Sequence, residues 1–353
     1  MKIAFQGWFL AQPYTGIGQH CLGLLRALAK EKVDCLIPVP RPVHIQGIPK
    51  KWLRVLRPPW WLLHPALKKW WWERIQVPQF FARQNLDWEY YPYPCPLPKS
   101  APHLRAMTVH DLIGWKDERY YKNRLKVLYY HYARHSLIHV DQLFTVSKTV
   151  HDELGIPVAT VLHNGAPELP KKLMRLNYAD ALVYLGGYDL RKNVPLLVET
   201  VAGLKHAPRL ILIGEALHTS PFYPAVPEYP NAYPLGSLPD DEVYSVLKSA
   251  KAFIHFSDSE GFNIPLLQAM SVGVPALVRD LPINREVSHN TALFLPNTQS
   301  KNVLQRALSD KLLLLDDPAE RKKIIATQKK AAAHYSWKKS ANALLRKLRS
   351  YES

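Results

Sequence analysis

The sequence predicts an α/β protein of two domains, each a parallel sheet covered by helices on both faces. Three observations carry that prediction. The chain has 353 residues, 47% of them hydrophobic, which is too much for one ordinary core. Short apolar runs alternate with helical patterns in two successive series. Glycine-bearing loops follow directly on several of the runs, at the strand ends where such sheets take ligands.

The first series opens with a strand at 2–8, a loop at 12–18 and a helix with Leu22, Leu25, Ala27 and Leu28 on one side. Further strands are expected at 35–39, 88–91, 105–110 and 143–146, the last leading into a helix capped by Ser147. A strand at 158–162 and the Asn164-Gly165 turn close this half, and 166–177 reads as a linker. The second series places strands at 181–185, 209–213, 252–256, 276–279 and 292–294. Helices are expected from about Pro195, at 240–250 and at 264–271. From 301 onward the pattern is helical, interrupted by Tyr335-Ser336-Trp337. The expected domains are 1–168 and 169–330, with a helical tail at 331–353 packing back on the first.

Composition narrows the function. With 21% charged residues, neither disorder nor a fibre is indicated. No run approaches 18 apolar residues and the N-terminus lacks a signal-peptide layout, so a cytoplasmic protein is expected. Cys21, Cys35 and Cys95 are scattered without CxxC spacing, which fits a reducing compartment and no structural zinc. Lys and Arg total 46 against 29 acids, a formal charge of +17 that favours an anionic partner. Residues 50–77 hold seven of these cations, one acid (Glu73) and six tryptophans. Indoles settle at the headgroup level of a bilayer and neighbouring cations pair with acidic lipid. Trp60, Trp61, Lys68, Lys69, Trp70 and Trp71 are therefore the expected membrane or acceptor surface. A nucleic-acid binder would need a basic aromatic face on a recognised module, and none is found.

Four segments could carry chemistry. Residues 259–270 start past a strand and run into a helix with Pro265 in its first turn. The N–H groups of Phe262, Asn263 and Ile264 would face an anion there, aided by the helix dipole. Glu260 would accept hydrogen bonds from hydroxyls, and Gln268 lies one turn into the helix. Taken alone, this segment reads equally well as a solvated Glu and a surface Gln around an ordinary helix start. The second segment, 186–193, pairs Gly186-Gly187, which let a ligand approach the backbone, with Arg191 and Lys192, which offer charge to a diphosphate. In isolation it is also a plain basic turn. Thr15-Gly16-Ile17-Gly18 can cradle phosphate, though a lone GxG is a weak signal. His110-Asp111 ends an apolar strand, where a histidine is more often structural.

Together these segments resemble glycosyltransferase family 4, retaining enzymes with the GT-B fold of two facing Rossmann-like domains around a cleft. The matching stretches are Thr15 to Gly18, Thr108 to Leu112, Ser147 to Leu154, Asn164-Gly165, Gly186 to Asn193 and Glu260 to Met270, with Trp71 to Pro78 as a further one. The resemblance implies that the second domain binds a nucleotide-sugar donor and the first an acceptor. Arg191 and Lys192 would hold the diphosphate, Glu260 the sugar hydroxyls and His110 the sugar's primary hydroxyl. Gly16 and Gly18 would close on the phosphates, with Gly187 and the Phe262 to Ile264 amides beside the donor. Gln268 stands where the family has a second Glu for the ribose, and Asn263 where it has Gly, adding bulk near the sugar. Arg285-Glu286-Val287 replaces a PEV segment.

Catalysis of this kind rests on positioning and on stabilising a departing anion. No second carboxylate accompanies Glu260 in the sequence, which favours front-face attack over a carboxylate pair. No metal or other cofactor is expected, and the donor would be a GDP- or UDP-sugar, with a mannosyl donor favoured. The expected acceptor is a glycan or lipid-linked molecule of envelope polysaccharide or glycolipid synthesis, reached at an anionic membrane surface. The alternatives are a non-catalytic sugar-nucleotide binder, suggested by Gln268, and a basic nucleic-acid-binding protein.

Overall fold

A computed structural model describes residues 1–117, 119, 124–214 and 229–351. The chain forms two compact units: Met1–Gly165 with Ser336–Ser353, and Ala166–Tyr335. The crossings lie three residues before and five residues after the boundaries expected at 168/169 and 330/331.

The first unit holds β1 (Lys2–Phe5), β2 (Asp34–Val39), β3 (Leu53–Val55), β4 (Trp88–Tyr91), β5 (Leu104–Val109), β6 (Gln142–Thr145) and β7 (Thr160–Val161). They pair in the order β3-β2-β1-β4-β5-β6-β7, every neighbour parallel. Ile3, Phe5, Trp88, Tyr90 and Ala106 are wholly buried, the continuous burial of a sheet covered on both faces. Helix Gly16–Leu28 and the returning helix Trp337–Arg349 share one core, where Leu24 and Leu28 join Leu344, Leu345 and Leu348. Ser336 caps the returning helix, its hydroxyl accepting from the Lys339 N–H. Position 23 must be glycine, because a Cβ there would fall inside the indole of Trp337.

The second unit holds β8 (Leu182–Leu185), β9 (Leu210–Ile213), β10 (Ala232–Gly236), β11 (Ala252–His255), β12 (Ala276–Arg279) and β13 (Leu293–Leu295). Their order is β10-β9-β8-β11-β12-β13, again parallel throughout. Helix Val194–Ala202 buries Leu197, Val198 and Val201 in the same core as Leu182, Leu210 and Ile254.

Sequence patterning does not reveal β3 and β10. Both are edge strands with exposed residues, and β10 contains Pro234, so neither carries the apolar run of an inner strand. Helices Pro65–Trp71, Arg124–His135 and Pro282–Ser288 are likewise additional. The expected strand at 2–8 is shorter, because Trp8–Ala11 turns into a 3-10 helix. In each sheet the strand order reverses once, between β1 and β4 and between β8 and β11. Loops leaving the carboxyl ends at such a reversal splay apart and open a crevice.

Candidate active site

The reversal in the second unit brings two of the four sequence segments together. The loop after β8 carries Arg191 and Lys192 in a short 3-10 turn capped by Asp189, whose carboxylate accepts from the Arg191 N–H. The loop after β11 carries Glu260. Arg191 Nη1 stands 2.6 Å from Glu260 Oε2, and Lys192 Nζ stands 2.5 Å from Glu260 Oε1. The Ser257 hydroxyl donates to the same Oε1 at 2.6 Å. Burial alone would raise the Glu260 pKa, but Arg191 and then Lys192 outweigh it and hold the carboxyl well below its usual range. Burial, followed by the neighbouring Arg191 charge, lowers the pKa of Lys192. The result is a dehydrated carboxylate shared by two cations, with Asp189 farther off at 3.8 Å from Arg191 Nε.

Residues that sequence reasoning passed over hold this cluster. His255, the last residue of β11, lies 3.7 Å from Glu260 and stacks on Tyr184. Burial, then Lys192, pushes its pKa down to about 3, so it is neutral. The Asp258 carboxylate accepts from Asn193 Nδ2 at 2.6 Å and pairs with Arg279. The Asp258 N–H donates to the Arg191 carbonyl at 2.8 Å, tying the two loops backbone to backbone. Their available signal was polar character at the carboxyl ends of β11 and β12, inside otherwise apolar runs.

The helix start at 264 differs from expectation. Asn263 sits at φ 61°, a left-handed conformation that asparagine tolerates and glycine prefers. Its side chain does not add bulk to an open pocket. It turns inward and is buried, Oδ1 capping Leu266 N–H at 3.2 Å and Nδ2 donating to Asn284 at 2.8 Å. Phe262 is buried with its ring against Tyr335, and Ile264 opens the helix Ile264–Val272. The Gln268 amide donates to the phenol of Tyr244 at 3.2 Å, on helix Asp240–Ser249. Gly187 accepts from the Tyr184 hydroxyl through its carbonyl at 2.6 Å.

The remaining candidates lie in the first unit. Thr15 caps helix Gly16–Leu28 by accepting from Gly18 N–H at 3.0 Å. A side chain at Gly18 would strike the Gln12 carbonyl, so that glycine serves the chain's own turn, whereas space around Gly16 is open. His110 follows β5 and donates from Nε2 to the Pro92 carbonyl at 2.7 Å, which fixes the tautomer. Burial lowers its pKa to about 4. Asn164 of the expected turn is buried against His20 Nδ1 at 2.7 Å.

The tryptophan-rich stretch divides. Trp60, Trp61 and Leu63 are 85%, 55% and 86% exposed, whereas Trp52 and Trp72 are core residues. Trp70 and Trp71 are half-buried, Trp71 packing edge-on to Trp61. Lys68 is half-exposed. Lys69 is a correction: its ammonium is no surface charge but pairs with wholly buried Glu73 at 2.5 Å. The helix Pro65–Trp71 continues through a π turn at Trp72–Gln76, and this register puts both side chains inward among Tyr93 and Tyr129.

Among the described residues, two parallel sheets of seven and six strands match the GT-B fold of solved glycosyltransferase structures. Sucrose-phosphate synthase from Thermosynechococcus elongatus superposes with a TM-score of 0.74 over 99% of both chains at 14% identity. HepE of Anabaena, solved in complex with UDP and glucose, superposes with 0.72 over 99% of this chain and all of its own, also at 14% identity. Residues 166–331 match the family model described as "Glycosyl transferases group 1", and so include Arg191, Lys192 and Glu260. A putative glycosyltransferase of Acidianus filamentous virus 2 is 40% identical over 93 residues, 26% of this chain and 23% of its own. The serotype-specific mannosyltransferase WbdA of Escherichia coli is 25% identical over 114 residues, 32% of this chain and 13% of its own. The chain thus aligns with under a quarter of the length of these two relatives. No helix among the described residues is long and apolar enough to cross a membrane.

Proposed function

We propose that the protein is a retaining, metal-independent glycosyltransferase. It transfers a hexose from a nucleoside-diphosphate donor to a glycan or lipid-linked acceptor in envelope polysaccharide or glycolipid synthesis. One observation carries this reading: two cations converge on one buried carboxylate at the strand-order reversal of the unit that matches the family model. In that reading Glu260 is a stand-in counter-ion. A donor diphosphate takes its place at Arg191 and Lys192, and the released carboxylate accepts hydrogen bonds from the sugar hydroxyls. The acceptor oxygen then bonds to the anomeric carbon as the bond from that carbon to the diphosphate oxygen breaks. The acceptor's proton passes to the departing phosphate, whose new charge the two cations neutralise. Their presence removes the need for a metal. His110, neutral and with Nδ1 as its acceptor nitrogen, receives the sugar's primary hydroxyl, and Gly16 leaves room for phosphate. The WbdA likeness supports a mannosyl donor.

Thermal-shift measurements with GDP-mannose, UDP-glucose and ADP-glucose test this, because a ligand that binds only the folded state raises the melting temperature. One donor is expected to stabilise the wild type and to fail with Lys192→Ala. Equal stabilisation of both proteins would count against the diphosphate clamp.

A peripheral membrane site is supported by the exposed Trp60, Trp61 and Leu63, flanked by Lys50, Lys51, Arg54 and Arg57. Co-sedimentation with anionic vesicles is expected to fall on Trp60→Ser/Trp61→Ser and on omission of acidic lipid. Binding indifferent to both changes would remove the idea.

A further inference from the structure

The first unit contains a cavity of about 590 Å³ whose walls include Trp70, Arg74, Ile75, Pro98, Arg105 and Tyr132. We propose that this cavity binds a phosphate group carried on an apolar substituent. It is separate from the loops that carry Gly16, Gly18 and His110. Glu89 and Arg105 occupy the second positions of β4 and β5, so the cavity lies at the strands' amino ends. Gly16, Gly18 and His110 follow carboxyl ends of the same sheet.

The charges around the cavity are unequal. Arg105 is buried and committed: Nη1 donates to the Pro98 carbonyl at 2.7 Å, Nη2 to the Ser100 carbonyl at 2.9 Å and Nε to Glu89 at 3.3 Å. Glu89 is answered in full by Arg105, His103 and the Tyr91 hydroxyl. Arg74, half-buried, has no hydrogen-bond or ion-pair partner among the described residues. Burial and then Arg105 lower its pKa. His139 reports the same field: burial lowers its pKa first, then His135, Arg105, Lys99 and Arg74. An unpaired guanidinium in a positive, partly dehydrated recess favours a bidentate oxyanion.

The remaining wall is apolar, as ligand pockets of this size are. Trp70 continues on the helix surface to Leu67, three residues earlier, and Tyr132 continues to Leu128, four residues earlier. Leu67 and Leu128 are 42% and 51% exposed, which gives an apolar substituent a surface to lie on.

Isothermal titration with dihexanoyl phosphatidic acid, dihexanoylglycerol and inorganic phosphate tests the proposal on wild type, Arg74→Gln and Ala101→Phe. Ala101 lines the cavity, so phenylalanine fills it. Saturable binding of the phosphatidic acid is expected, weakened at least about tenfold by Arg74→Gln and lost with Ala101→Phe. Dihexanoylglycerol, which lacks the phosphate, is expected not to bind. Inorganic phosphate is expected to bind more weakly than the lipid, because it lacks the apolar part. Three results would overturn it: no saturable binding of either phosphate, equal binding of dihexanoylglycerol, or lipid binding unchanged in both variants. Circular dichroism confirms that each variant is folded.

Discussion

Each unit buries one carboxylate against a lysine, and the two arrangements differ in their charge balance. In the first unit Glu73 meets one cation, Lys69, and two phenols, those of Tyr93 and Tyr129. The ammonium is further enclosed by the rings of Trp8, Phe9, Tyr93 and Tyr129. That set is matched and closed, and neither charge has a substitute. In the second unit Glu260 meets two cations on adjacent positions of a loop. Either cation can hold the carboxylate if the other leaves. A closed pair contributes to rigidity; a carboxylate with a spare cation leaves charge for an incoming anion.

Breaking the closed pair should have the largest effect. Lys69→Ala strands Glu73 without a cation, and a loss of about 3–5 kcal/mol is expected in urea denaturation. Lys192→Ala leaves Glu260 paired with Arg191, so its stability cost should stay near about 1 kcal/mol. Its kcat/KM should nevertheless fall by about 10²–10³. A severe stability loss in Lys192→Ala would erase the contrast.

The pH response sharpens the same comparison, since a buried neutral histidine stands beside Glu260. The folded His255 pKa, about 3, lies below the ordinary histidine value of 6.5. As pH falls below 6.5 the unfolded chain takes up a proton that folded His255 refuses, so this contribution lowers stability from pH 6.5 down toward 3. Above pH 6.5 it is silent. His255→Phe, which keeps the stack on Tyr184, should flatten the decline in urea midpoint between pH 7 and pH 4. An unchanged slope would place the acid sensitivity elsewhere.

A local backbone effect is expected at Asn263. Asn263→Ala forces an ordinary side chain into the left-handed region and removes the helix cap, for about 1–2 kcal/mol. Asn263→Gly relieves the backbone while losing the cap, and should cost less than the alanine variant. The reverse order, read from melting temperatures, would mean that side-chain bonding alone fixes this turn.

Much of this was legible in the sequence. Inner strands such as β8 and β9 announced themselves because parallel strands covered on both faces are unbroken apolar runs. The loops with Arg191, Lys192 and Glu260 were visible because glycines and charges there interrupt such runs. Edge strands β3 and β10 were not, since exposure removes their apolar signature. Side-chain direction was the other gap. Lys69 looked like a surface cation because its inward turn depends on a π turn and on tyrosines distant in sequence. Asn263 looked like bulk at a pocket because its partner, Asn284, lies on another helix.

Arg191 and Lys192 are together the proposed site for a nucleoside diphosphate. Titration of GDP and UDP into the wild type and the Arg191→Gln/Lys192→Gln double variant measures it directly. One nucleotide is expected to bind the wild type, with a Kd that rises by about a hundredfold or more in the variant. Equal affinity of a folded variant for that nucleotide would contradict it.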